Sequence, residues 1–245
     1  MRGLFVTATD TGVGKTALSA ALLAAISAAG EPVAAHKPAV TGLDEPPQGE
    51  PPWPPDHVLL ATAAGMAAEQ VAPLRYGPAT SPPLAAELEG ERLDRELLLA
   101  AGAELTRKAE QEGTTVIVEG VGGLLSPLAE DFTVCDLAAS LRLPLLIASR
   151  PGLGTINHTL LTLQSARANG LEVRAVVITP WPERPSRLEQ SNGETIARLG
   201  SVEVETLARA ERPDMAELAR VGGTLPWQRW LSGGSALPEP AEPAL

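Results

Sequence analysis

The feature that most constrains this chain is how its opening is written. A short apolar run at residues 4–8 leads into a polar, glycine-bearing stretch at 9–16. A helical face follows, with Leu18, Ala21, Leu22, Ala25 and Ile26 spaced along one side, and Gly30 stands where a C-terminal cap belongs. The alternation then repeats. Strands are predicted at 33–36, 114–118, 143–148, 173–179 and 202–207, and helices at 56–67, 94–111, 133–141, 156–168, 187–199 and 214–221. Residues 71–90 read as irregular, and Pro226-Trp227 as the opening of a C-terminal helix. Nearly continuous apolar strands alternating with helices predict an α/β three-layer fold: a mostly parallel sheet with helices on both faces. Ligands in such sheets bind at the carboxyl ends of the strands, where every polar motif of this chain falls.

The first such end is Thr9-Asp10-Thr11-Gly12-Val13-Gly14-Lys15-Thr16. Gly12 and Gly14 let backbone N–H groups crowd around a phosphate, and the helix start adds partial positive charge. Lys15 reaches the outer phosphates, and the Thr16 hydroxyl is a ligand for Mg²⁺. The usual phosphate loop begins with glycine where this chain has Thr9, so the loop is a deviant one and the fold is P-loop NTPase-like.

Two acids are candidates for the metal. Glu119 ends the Val-Ile-Val strand and is followed by Gly120, Val121, Gly122 and Gly123, which place it facing the loop. Asp56 is either a second ligand or simply the N-cap of its helix, a position Asp favours. Mg²⁺ takes one or two carboxylates beside nucleotide phosphates, so the pair is sufficient. Lys37 ends the second strand and is followed by the rigid Pro38. The first two strands, expected to be adjacent and parallel, then each aim a lysine, Lys15 and Lys37, at one crevice, and two ammonium groups there suit charge developing on phosphoryl or carbamate oxygens. Lysine is otherwise scarce: three residues, at 15, 37 and 108, among 19 basic ones.

Composition narrows the classes. A net charge of -11 disfavours a protein that works by neutralising nucleic-acid phosphates. One cysteine, Cys135, excludes a disulfide framework and a cysteine-rich zinc site, and it reads as a buried apolar residue. His158 reads as a capping or packing residue, and neither His36 nor His57 is needed chemically. The apolar stretch at 17–29 lacks the context of a signal peptide, and no run reaches the ~20 residues of a membrane helix. The expectations are a cytoplasmic protein, one domain over 1–232, and a disordered tail over 233–245, rich in Gly, Pro, Glu and Ala.

Four motifs in order make the chain resemble the dethiobiotin synthetase family. They are Val-Thr-Ala-Thr-Asp-Thr-Gly-Val-Gly-Lys-Thr (6–16), Lys-Pro-Ala-Val-Thr-Gly (37–42), Val-Glu-Gly-Val-Gly-Gly-Leu-Leu (118–125) and Gly-Leu-Gly-Thr-Ile-Asn-His-Thr-Leu-Leu-Thr (152–162). The resemblance implies that 7,8-diaminopelargonic acid, CO2 and ATP are joined with Mg²⁺ present, through a carbamate and its mixed anhydride with phosphate. It assigns catalysis to Lys37 and Lys15, and the metal to Thr16, Asp56 and Glu119. Nucleotide contacts extend to Val13, Ala17, Gly120, Val121 and Gly122, and at the base end to Thr179, Pro180 and Ala208. Thr11 and Thr41 meet the substrate. Gly154, Thr155 and Asn157 hold its distal carboxylate from the partner subunit of a homodimer.

The chain departs from the family at the base end. Many members have Asn where Thr179 stands, and a Pro-Trp or Pro-Tyr pair where Ala208-Arg209 stands. A loose base preference is therefore expected, with other nucleoside triphosphates accepted. Three other readings fit less well. A non-catalytic nucleotide-binding module would have no reason to keep Lys37, Thr41 and the 154–157 loop together. A partitioning or metal-carrier ATPase carries a lysine five positions before the loop lysine, where this chain has Asp10, and the carrier type also wants paired cysteines. A cobyrinic-acid-type amidotransferase needs a glutaminase domain, for which the residues after 210 leave no room.

Overall fold

The computed structural model describes residues 2–46 and 52–232. The tail at 233–245 and part of the proline-rich loop lie outside the described residues. In chain order the elements begin with β1 (Gly3–Ala8), α1 (Lys15–Ala28), β2 (Val33–His36), α2 (Asp56–Ala64), α3 (Ala68–Val71), α4 (Pro82–Leu88) and α5 (Arg95–Glu112). Next come β3 (Thr115–Glu119), β4 (Pro127–Ala129), β5 (Phe132–Thr133), α6 (Val134–Leu141), β6 (Leu145–Ser149) and α7 (Thr155–Ala168). The last are β7 (Val173–Trp181), α8 (Arg187–Gly200), β8 (Glu203–Ala208), α9 (Met215–Gly222) and α10 (Trp227–Leu231).

Six strands make one parallel sheet in the order β2–β3–β1–β6–β7–β8. The order reverses at β1, so the loop after β1 opens at the switch point where such sheets bind ligands. β1 is buried along its whole length and feeds both faces. Leu4, Val6 and Ala8 join a cluster with α1, α2, α9 and α10. Phe5 points the other way, into a cluster with α5 and α6, while Ile147, Val176 and Ile178 meet α7 and α8. Helix α1 is apolar almost all round because it is enclosed: Leu18, Leu22, Leu23 and Ile26 are fully buried. Each such side chain contributes about 1.5–3 kcal/mol relative to exposure.

The predicted strands and long helices are present, with ends shifted by one or two residues, and three differences have physical causes. The helix expected over 56–67 stops at Ala64, because Gly65 turns left-handed (φ 64°), and α3 resumes after it. The 71–90 stretch is not wholly irregular. Pro82 and Pro83 open α4, since proline is tolerated in a first helical turn where N–H groups have no partner anyway. The β4–β5 pair has strands of three and two residues, too short to leave a periodic signal. Cys135 is buried in the core as expected. His158, in contrast, is exposed, and no side chain caps its helix.

Candidate active site

The register of the sheet assembles the site. β2 and β3 pair with His36 beside Val118, so the next residue on each strand, Lys37 and Glu119, lies side by side. Both are buried. Lys37 Nζ donates to Glu119 Oε1 at 2.5 Å and lies 3.0 Å from Asp56 Oδ2. The Thr16 hydroxyl donates to the same Glu119 oxygen at 2.9 Å. Asp56 is the first residue of α2, and the N-cap is Pro55. Its carboxylate therefore joins the cluster and does not cap the helix.

Charge in this cluster is finely opposed. Burial works against the Lys37 ammonium, but Asp56 and Glu119 more than offset it and hold it above the ordinary lysine range. Burial likewise works against the Asp56 charge, yet Lys37, Thr16 and Lys15 keep its carboxyl below the usual range. Lys15 is pushed down by burial, and Lys37 adds to that while Glu119 resists. Lys37 thus carries positive charge in a poorly solvated crevice, where it acts more strongly than in water, with Lys15 beside it.

The phosphate loop is shaped by two left-handed glycines, Gly12 (φ 67°) and Gly14 (φ 110°). A Cβ on Gly14 would stand 3.1 Å from the Thr179 methyl, so β7 packs directly on the loop. Lys15 Nζ donates to the Asp10 carbonyl at 3.4 Å, and the Asp10 carboxylate accepts from the Thr11 N–H at 2.7 Å. Asp10 is thus an internal cap and not a cation. Thr11 and Thr41, far apart in sequence, line one cavity of about 470 Å³ together with Val121 and Gly122.

At the base end, Thr179 is buried and Ala208 lies at the end of β8, paired with Trp181. The 154–157 turn is not part of the Lys37 cluster. It opens α7, with Gly154, Asn157 and His158 exposed and Leu153 86% exposed.

Sequence reasoning missed Arg150. Its guanidinium donates to the Thr11 carbonyl at 2.8 Å and lies over Gly12. Its place directly after β6, at a strand's carboxyl end, was the available signal. Ser126, which accepts from the Gly123 N–H at 2.8 Å and shapes the glycine turn after Glu119, left no such signal.

The oxygen donors suit Mg²⁺. Thr16, Asp56 and Glu119 offer one hydroxyl and two carboxylates, and Glu119 Oε2 is buried without a hydrogen-bond partner among the described residues. The cluster already holds a cation, the Lys37 ammonium, between its two carboxylates.

Comparisons with known proteins agree with this geometry. A family model described as "AAA domain" matches residues 2–232. The ATP-dependent dethiobiotin synthetase BioD of Anaeromyxobacter sp. (strain K) is 41% identical over 227 residues, covering 92% of this chain and 97% of that protein. Its counterpart in Mycobacterium sp. (strain KMS) is 38% identical over 235 residues, 95% and 99% of the two chains. That of Bacillus subtilis (strain 168) is 35% identical over 206 residues, 83% and 85%. Among solved structures, the MinC:MinD cell division protein complex of Aquifex aeolicus matches with a TM-score of 0.52 at 14% identity, covering 91% of this chain and 86% of that one. That likeness concerns the fold alone. With the fold, the phosphate loop and the Lys37 cluster in place, and near-full-length relatives at this identity, the chain belongs to the ATP-dependent dethiobiotin synthetase family.

Proposed function

We propose that this chain joins 7,8-diaminopelargonic acid, CO2 and ATP into dethiobiotin, ADP and phosphate, a step of biotin synthesis. The observation that carries the reading is the buried Lys37 ammonium, held against Glu119 and Asp56 beside the phosphate loop. One substrate amine adds through its lone pair to CO2 and loses a proton, giving a carbamate. A carbamate oxygen attacks the γ-phosphorus of ATP, the bond to the bridging oxygen breaks, and ADP leaves. The second amine attacks the carbonyl carbon of this mixed anhydride and loses a proton. The bond from that carbon to the phosphate oxygen then breaks, which closes the ureido ring.

The chain's residues divide this work. Gly12, Val13, Gly14 and Ala17 wrap the phosphates with backbone N–H groups, as a helix start following a glycine loop does. Lys15 draws charge toward the outer phosphates, and Lys37 stabilises charge on the carbamate oxygens as they meet phosphorus. Thr11 and Thr41 orient the two amines from the shared cavity. Gly120, Val121 and Gly122 let backbone approach the nucleotide. Thr16, Asp56 and Glu119 would hold Mg²⁺, which when bound supplies neutralising charge to the phosphates.

The outward side of the 154–157 turn, with Gly154 and Asn157 exposed, supports a homodimer in which it serves the partner's site. Leu125 and Leu161, 62% and 55% exposed, line a second cavity with Thr11 and give that interface an apolar surface beside the site. We take 1–232 as one synthetase domain, working in the cytoplasm. No helix among the described residues is long and apolar enough to cross a membrane. The test is to supply the diamine, ATP, Mg²⁺ and ¹³C-bicarbonate and examine the product by mass spectrometry. Dethiobiotin carrying the label in its ureido carbon is expected. Nucleotide binding with no labelled ring product would overturn the assignment.

A further inference from the structure

We propose that Asn192, with Ser149 and Thr159, is a positioning residue for the turn that receives the substrate's carboxylate. This rests on the reading that the 154–157 turn binds that group. Helix α8 turns Asn192, Ile196 and Gly200 inward. Ile196 on that face packs against Ile178, Leu163 and Val202. An amide buried on such a face is costly unless its polar atoms are bonded. Asn192 Nδ2 reaches across to donate to the carbonyls of Pro151 at 2.8 Å and Gly152 at 3.2 Å.

The other end of the turn is held the same way. Ser149 Oγ lies 2.6 Å from Thr155 Oγ1 and 2.8 Å from Thr159 Oγ1, and all three residues are buried. The carbonyls of Pro151 and Gly152 and the hydroxyl of Thr155 are thus drawn inward, which anchors both ends of a segment, Pro151-Gly152-Leu153-Gly154, that its two glycines would otherwise leave free. Gly154 (φ 86°) reverses the chain between the anchors. No side chain caps the first turn of α7: Gly154 holds the cap position, and the Thr155 hydroxyl is committed inward. The Thr155 N–H donates to the Gly152 carbonyl at 3.4 Å, which leaves the Ile156 and Asn157 N–H groups for an external acceptor, and the exposed Gly154 and Asn157 mark the outward side. Buried hydrogen bonds on one side of the turn therefore set the anion-facing geometry on the other.

The test compares 7,8-diaminopelargonic acid with 2,3-diaminononane, the same diamine without the carboxylate. It uses the wild-type protein, Asn192→Leu and Ser149→Ala. Asn192→Leu is expected to raise KM for the acid about tenfold, while kcat, KM for ATP and KM for the nonane stay within about twofold. A purely structural role would lower thermal stability and move both diamines together, and that result overturns the proposal. Ser149→Ala removes one hydroxyl without adding bulk, so it carries the same test if Asn192→Leu does not fold. If the wild-type protein treats both diamines alike, the carboxylate reading itself fails, whatever Asn192 does.

Discussion

Lys37 shows how far a single residue is legible from sequence. Its place at a strand end, before Pro38, marked it as aimed at the crevice. Its neighbours were not readable, because the contact with Glu119 depends on the register between two strands that lie 82 residues apart along the chain. Asp56 was ambiguous for the same reason, since local sequence cannot separate a cap from a distant ion pair. Beside Lys37, His36 is a residue whose environment makes a measurable prediction. It is buried with Nε2 unpartnered, and burial lowers its pKa from 6.5 to about 4 despite a hydrogen bond with the Val71 backbone. Between those values the unfolded chain takes up a proton that the folded chain refuses. Stability therefore falls as pH drops through this window, by about 3 kcal/mol in all. Urea unfolding from pH 7 to pH 4 should show this slope, and His36→Gln should flatten it. An unchanged slope in the variant would contradict the neutral, buried assignment.

Elements were legible where their signal is local. Thr133, Asp94 and Asp214 each cap the helix they were expected to open. The boundaries that slipped are set by tertiary context, as at β7, which continues through Pro180 to Trp181 alongside β8. Helix packing makes its own prediction at Gly222, the last residue of α9. A Cβ there would stand 2.0 Å from the Ala21 carbonyl oxygen of α1. Gly222→Ala must push the two helices apart, at a cost of about 1–3 kcal/mol, readable as a lowered urea midpoint. No loss of stability would mean that α9 does not sit this close. The ends of β7 and β8 make another. The positions proposed to face the base hold a buried Thr179 and the methyl group of Ala208 at the end of β8. CTP and GTP should accordingly support turnover within about tenfold of ATP, because discrimination needs a polar group that the wrong base leaves unpaired. Selectivity for ATP above about a hundredfold would contradict this.

At the scale of the whole molecule, the sheet order places β1 at the switch point and brings the polar ends of β1, β2, β3 and β6 together. The gathering of polar ends followed from alternation and the strand-end rule, but the order did not: β1 and β2, expected to be adjacent, are separated by β3. What one chain's sequence does not show is that no hydrogen bond or ion pair of its own 154–157 turn reaches its own Lys37 cluster, among the described residues. In the proposed homodimer each complete site takes Lys37 from one protomer and the turn from the other. Lys37→Ala and Gly154→Asp proteins, each inactive alone, should then recover activity when unfolded and refolded together. Half the dimers would be mixed, each with one intact site, giving about a quarter of wild-type turnover. No recovery would mean that the turn serves its own protomer. The most direct test of the account remains dethiobiotin formation by the wild-type and Lys37→Ala proteins side by side, with ATP binding measured on both. The account predicts product from the wild type, at least about a hundredfold less from the variant, and nucleotide binding by both. Turnover by the variant within about tenfold of wild type would remove Lys37 from the chemistry and contradict the central claim.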